Sequence, residues 1–252
     1  MKLRTVRVAA VQATPVILDA EASVAKAVRL LEEAAGRGAE LAAACARHGI
    51  HAVVGINERE RERPGSLYNS LLLIGPEGLL HRHRKLMPTQ HERLFHGIGA
   101  GDDLQVTETP VGRIGGLICW ENRMPLARYA LYRGGPQIWV APTADDSDGW
   151  LASMRHVAIE SGAFVVSAPQ FIPGSAFGDD FPVPVERDYI YGRGGAAIVE
   201  PTGGEVIAGP LYDEEGIVTA DCDLRAGLHA KRWFDAVGHY GREDVLFPPA
   251  AG

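Results

Sequence analysis

The chain predicts an α/β protein of one domain, in which helices layer on sheets. Three observations carry this. Short β-branched runs alternate with helical patterns, two segments have the double apolar run of a hairpin, and no composition shift marks a linker. Val6 to Gln12 (VRVAAVQ) is strand-like and bounded by Pro15, after which Asp19 caps a helix through EASVAKAVRLLEEAAGRG. From Leu41 a second helical pattern, LAAACARHG, stops at Gly49, and IHAVVGI behind it has strand composition. NSLLLIGPEGLLHRHRKL and GGAAIVEPTGGEVIAG each place two apolar runs around a Gly/Pro turn, as antiparallel hairpins require. Between them GRIGGLICW reads as a buried strand, MPLARYALYRGG as a helix, QIWVAP as a strand, GWLASMRHVAIESG as a helix and AFVVSAP as a strand. GIVTADCD is a further strand, DLRAGLHAKRWFD a helix, and HYGREDVLFPP an irregular ending.

With 252 residues, 46% of them hydrophobic, the chain can bury a sizeable core. Its 25 basic and 32 acidic residues leave a net charge of -7, which offers no footprint for nucleic acid. Cys45, Cys119 and Cys222 are odd in number and widely spaced, unlike a disulfide framework. The apolar run near the start is interrupted by Gln12 and Pro15, too weak for a signal peptide, and no stretch approaches the roughly 20 apolar residues of a membrane span. The expectation is a cytoplasmic protein with neither nucleic-acid nor membrane partner.

Cys119 ends the run GRIGGLIC just before Pro125 opens a helical pattern, and strand ends leading to helices are where α/β folds present functional groups. A thiol with a pKa of about 8.5 needs a base, a cation or a helix N-terminus to become a useful nucleophile. The alternative for such a residue is a small buried hydrophobe. Lys85 follows HRHR at the end of a hairpin strand, where it either holds an anionic intermediate or is a solvated strand end. His81 and His83 share one strand face but lack a nearby third ligand, so a metal is not expected. Glu92 lies in TQHERLFHGIGAGDD, a Gly-rich stretch that reads as a long loop. Neither GIGAGDD nor YGRGG has the pattern of a phosphate-binding loop. His156 and Cys222 read as packing residues.

Arg84-Lys85-Leu86-Met87-Pro88-Thr89, Glu92-Arg93 and Cys119-Trp120-Glu121-Asn122 together resemble the nitrilase family of the carbon-nitrogen hydrolase superfamily. The resemblance extends from RVAAVQATPVILD at the front to GHYGREDVLF near the end. It implies a four-layer α-β-β-α sandwich and a site without cofactor or metal. In that site Cys119 is the nucleophile, Lys85 the lysine and Glu92 a glutamate that orients it, with Trp120 and Glu121 toward the substrate. The implied reaction converts an organic nitrile to a carboxylic acid and ammonia through a thioimidate and a thioester. The Cys-Trp-Glu-Asn run is similar to nitrile-hydrolysing members, with an amide as the alternative substrate. The family's homodimer or higher homo-oligomer is implied as well.

One part of the family pattern has no counterpart. The resemblance implies a strand with a Phe-Pro-Glu motif, carrying the first catalytic glutamate, the general base, after the helix that ends near Gly38-Ala39-Glu40. Here Glu40-Leu41 runs directly into Ala42-Ala43, so an internal deletion is expected near 41–42, and Glu40 does not match the missing base. No other glutamate occurs between Glu40 and Glu58. Two readings follow: a hydrolase working through Cys119, Lys85 and Glu92, or a silent family member acting as a subunit or scaffold.

Overall fold

A computed structural model describes residues 4–35 and 41–246. Gly38, Ala39, Glu40 and Phe247 lie outside the described residues. The helix α1 (Ala20–Ala35) starts where Asp19 accepts a hydrogen bond from the Ala22 N–H (2.8 Å), satisfying a donor that the first turn leaves free. The short helix α2 (Leu41–His48) stops at Gly49, which takes the left-handed φ of +62°. The strands β1 (Thr5–Gln12), β2 (Ala52–Arg59), β3 (Leu67–Gly75) and β4 (Gly78–Arg84) follow the predicted runs, β3 and β4 forming the first hairpin.

The predicted GRIGGLICW strand is shorter than read. After β5 (Thr107–Thr109), β6 (Gly112–Gly116) stops three residues before Cys119, which opens a 3-10 turn over Cys119–Arg123. Helix α3 (Pro125–Tyr132), β7 (Ile138–Thr143), α4 (Asp148–Ser161) and β8 (Phe164–Pro169) alternate as expected. The short β9 (Phe171–Pro173), the hairpin β10 (Ile190–Val199) and β11 (Val206–Tyr212), then β12 (Gly216–Asp223), α5 (Arg225–Trp233) and a turn of helix α6 (Glu243–Leu246) complete the chain. β5, β9 and α6 were not legible: two are three-residue strands, and α6 interrupts the ending read as irregular.

The strands form two inner layers. One is a continuous sheet in the order β11-β10-β8-β7-β6-β5, with β9 also on β10 and with β6, β7 and β8 parallel. The other is split into an antiparallel β1-β12 pair and an antiparallel β2-β3-β4 sheet. β1 packs against β8 and β10, and β2 against β7. Among the described residues β1 pairs with β12 alone and β2 with β3 alone, so each leaves one edge open.

Alternation along the central strands explains the layers. Ile138, Val140, Phe164, Val166 and Ile198 face the split layer, where they meet Val6, Ala10, Leu71 and Leu73. Trp139, Val165 and Val199 point the other way, onto Leu131 and Tyr132 of α3 and Trp150, Met154 and Val157 of α4. Cys45 of α2 packs on Ala52 and Ile74, closing the opposite outer layer. The result is an α-β-β-α sandwich whose central strands are apolar on both faces. Truncating Trp139, which is fully buried, would cost about 3–5 kcal/mol. Gln12 is also fully buried and joins the inner layers: its amide donates to the carbonyls of Leu211 (3.0 Å) and Glu214 (2.8 Å) and accepts from Gly195 and Ala196 N–H (2.9 Å each). None of the described helices is long and apolar enough to cross a membrane.

Candidate active site

Cys119 sits beyond the C-terminal end of β6 with a φ of +51°, a conformation that costs a residue with a Cβ about 1–3 kcal/mol. Glu121 and Asn122 explain how it is held. Glu121 accepts the Ile118 N–H (2.8 Å), and the Asn122 side chain donates to the carbonyls of Leu117 (2.8 Å) and Cys119 (2.9 Å). Asn122 also accepts from the Trp139 indole (2.7 Å), and Arg128 of α3 donates to its carbonyl (2.9 Å). The strained turn is therefore fixed on both sides by buried hydrogen bonds.

Thr143 closes β7, the strand beside β6, and its hydroxyl donates to Cys119 Sγ at 3.1 Å. The Asp145 N–H donates to the same hydroxyl oxygen (2.9 Å), so the Thr143 proton is directed at sulfur. Cys119 and Thr143 thus meet at the carboxyl ends of adjacent parallel strands, where open α/β sheets place ligands. Cys45 and Cys222 are fully buried, and burial pushes both thiols up, Cys222 to about 12. Cys119 is only partly buried.

Lys85 follows β4 in the split layer and is 1% exposed, so the solvated reading fails. Its Nζ donates to Glu92 Oε2 at 2.6 Å and to the Thr89 hydroxyl at 3.1 Å. Glu92 lies on a 3-10 turn, Gln90–Leu94, rather than in the featureless loop expected. Burial pushes its carboxyl up, but hydrogen bonds from Lys85 and the Thr89 N–H (2.6 Å) outweigh this and hold it below its ordinary value. The Gly-rich stretch behind it wedges backbone against backbone. Gly99 donates its N–H to the Lys85 carbonyl (2.9 Å), and a Cβ there would collide with the Arg84 carbonyl oxygen.

Glu121 joins the two halves. Its Oε1 accepts the Leu86 N–H (2.5 Å) while Oε2 accepts the Ile118 N–H, so the residue after Lys85 and the residue before Cys119 are one carboxylate apart. Both oxygens also face His83 Nε2, at 3.1 and 3.2 Å, and the residue is 1% exposed. The expectation that Glu121 touches substrate is therefore corrected: it is a buried strut. Trp120 is 39% exposed, its indole donating to Asp145 (2.7 Å) and its ring under Arg123, and it remains available to a substrate.

Among the described residues no carboxylate hydrogen-bonds the Cys119 sulfur; its partner is Thr143. Glu58 is held by Arg84 (2.6 Å), Arg82 (2.8 Å) and Ser70 (2.6 Å) and is no substitute. His156 is a second correction, since its side chain is 65% exposed beside Glu160 on α4 instead of packed. Sequence reasoning missed Thr143, Asn122, His83 and Asp103 as parts of the site. The HRHR alternation hinted at His83, and the strand end hinted at Thr143.

This fold agrees with the comparisons. The carbon-nitrogen hydrolase family matches residues 39–228, and the chain belongs to that family. It is 39% identical over 292 residues to the Aliphatic nitrilase of Sinorhizobium fredii (strain HH103), a match covering 95% of this chain and 94% of the relative. To Nitrilase 1 of Arabidopsis thaliana it is 46% identical over 216 residues, covering 82% of this chain and 61% of that protein. Its fold is similar to that of the carbon-nitrogen hydrolase from Helicobacter pylori G27, with a TM-score of 0.79 at 16% identity, covering 97% of this chain and 98% of the other. The Sinorhizobium match takes in about 240 of the 252 residues here over its 292 positions, so about 50 positions of that relative face no residue of this chain.

Proposed function

We propose that the protein hydrolyses an organic nitrile to a carboxylic acid and ammonia, with Cys119 as nucleophile. The carrying observation is the joining of the Lys85–Glu92 pair to the Cys119 turn through the single carboxylate of Glu121. Sulfur attacks the nitrile carbon and the thiol proton passes to nitrogen, giving a thioimidate; water adds, ammonia leaves, and a second water cleaves the thioester to free the acid and the thiol. Lys85 stabilises the charge that develops on the substrate nitrogen or oxygen, in a site where burial strengthens such contacts. Glu92 orients Lys85 and relays protons through it, and the Thr143 hydroxyl supports the thiolate.

The open edges of β1 and β2, together with the unmatched positions of the Sinorhizobium relative, support an internal deletion near 41–42 within a single domain spanning 1–252. Without a carboxylate on Sγ, the first proton transfer lacks a contribution that is typically 10²–10⁴-fold, so turnover is slow. We also propose a homodimer or higher homo-oligomer acting in the cytoplasm, with α3 at the two-fold contact; its Leu126 is 68% exposed.

The test is ammonia release across a panel of nitriles and the matching amides, with Cys119→Ala as control. Release from nitriles that the control abolishes supports the reading, and release from amides alone reassigns the substrate. A folded protein that releases none favours the silent subunit.

A further inference from the structure

We propose that His83 is a positioning residue which, as a doubly protonated ring between Asp103 and Glu121, sets the Lys85 segment against the Cys119 turn. This rests on the hydrolase reading and assigns its site a further part. His83 is 2% exposed on β4 and rims a water-sized cavity of about 20 Å³ between the inner layers, with Val53, Leu71, Ile114 and Val140 around it. Its Nδ1 lies 2.7 Å from Asp103 Oδ1 and its Nε2 3.1 Å from Glu121 Oε2. A neutral imidazole has one N–H and one lone pair, so it would turn a lone pair toward one of these carboxylates. Two carboxylate neighbours therefore select the imidazolium.

What the two carboxylates hold gives this ring its purpose. Asp103 Oδ2 accepts the Arg84 N–H (2.8 Å) and Glu121 Oε1 the Leu86 N–H (2.5 Å), so the peptide groups on either side of Lys85 end on His83's two partners. The N–H of Lys85 itself donates to the Asn69 carbonyl (2.9 Å). Glu121 also holds the Ile118 N–H, beside Cys119. One cation thus fixes two anions, and the anions fix both catalytic segments. The other titratable group at this cavity is His81, two residues along β4, whose Nδ1 faces the Gln105 amide (3.1 Å) and which burial pushes down. Arg82 and Arg84, next to the ring in sequence, are engaged by Glu58.

Deprotonating the ring would release one carboxylate and loosen the register of Lys85 against Cys119 without removing any group that meets substrate. Burial acts to lower the His83 pKa, but the two carboxylates outweigh it and raise it to about 9. The dependent property is kcat, since ground-state binding does not require the Lys85–Cys119 register.

The test has two arms. In the first, His83→Gln is compared with wild type: the expected results are a decline of wild-type kcat near pH 9 that the variant lacks, a kcat for ammonia release at least tenfold lower in the variant, and KM within twofold. Unchanged kcat and pH profile in a folded His83→Gln overturn the proposal. The second arm needs neither turnover nor the His83→Gln variant. Ring ¹⁵N and backbone amide resonances of Cys119→Ala are followed from pH 6 to 10. An imidazolium at pH 7.5 whose titration moves the Leu86 and Ile118 amides together supports the proposal even if the protein hydrolyses nothing. A neutral ring at pH 7.5, or a titration that leaves those amides still, overturns it.

Discussion

The two inner layers of this protein differ in continuity, and the site is built across the difference. The β11-to-β5 sheet is unbroken, with parallel strands at its centre, and it supplies Cys119 and Thr143. The facing layer is divided between β1-β12 and β2-β3-β4, and it supplies Lys85 with Glu92 behind it. A nucleophile on a rigid sheet can be placed by that sheet alone. A lysine on a three-stranded sheet with an open edge needs ties to its neighbour, and Glu121, His83 and Asp103 are those ties.

The largest expected effect probes whether the divided layer is catalytic at all. Lys85→Ala should lower kcat for nitrile hydrolysis by at least about 10³-fold, since oxyanion-type donors contribute 10²–10³ each and Glu92 would lose its partner as well. Activity within tenfold of wild type would mean the continuous sheet does the chemistry alone.

Hydrogen exchange measures the comparison directly. Amides of β7, paired on both sides, should be protected close to the global limit. Amides of β1 and β2 that face the open edges should exchange at least about 10³-fold faster, because no ladder holds them. Equal protection would show that the edges are covered in solution.

The tie between the layers should be costly to cut. Glu121→Ala leaves His83 without one of its two anions and two backbone N–H groups without acceptors, an expected loss of about 3–5 kcal/mol in denaturant unfolding. A loss below about 1 kcal/mol would remove Glu121 as a strut.

The same tie gives stability a pH dependence of definite sign. His83 has a pKa raised in the folded protein from 6.5 to about 9, so its contribution is fully present below about pH 6.5 and is lost as pH rises through about 9. Wild type should therefore lose its advantage over His83→Gln across that window, on the order of 3 kcal/mol in unfolding free energy. A flat difference would mean that the ring does not titrate there.

The smallest effect concerns the other joint. Gln12→Ala should cost about 1–3 kcal/mol by stranding buried partners on β10 and β11, with kcat unchanged within about twofold. Unchanged stability would mean that β1 is held by apolar packing alone.

Most of the layering was legible because it rests on local signals. Val6–Gln12, the Asp19 cap, Gly49 and the two hairpins each announce themselves within a few residues. Cys119, Lys85 and Glu92 were legible as motif residues. Their burial was not, and the solvated reading of Lys85 failed because Thr89 and Glu92 lie four and seven residues further along a turn that periodicity does not describe. Glu121 was misjudged for a related reason: its partners, Leu86 and His83, are 35 and 38 residues away. Thr143, Asp103 and His83 join the site only when β6 and β7 end side by side and β4 lies in the facing layer, which no single stretch of sequence encodes.

In the proposed reaction Cys119, held by both layers, attacks substrate carbon. The direct measurement is intact-mass analysis with peptide mapping after mixing with a hydrolysable nitrile and quenching in acid. The expected result is an adduct on Cys119 alone that decays as the carboxylic acid appears and is absent from Cys119→Ala. Ammonia release that persists in folded Cys119→Ala, or an adduct confined to Cys45 or Cys222, would contradict it.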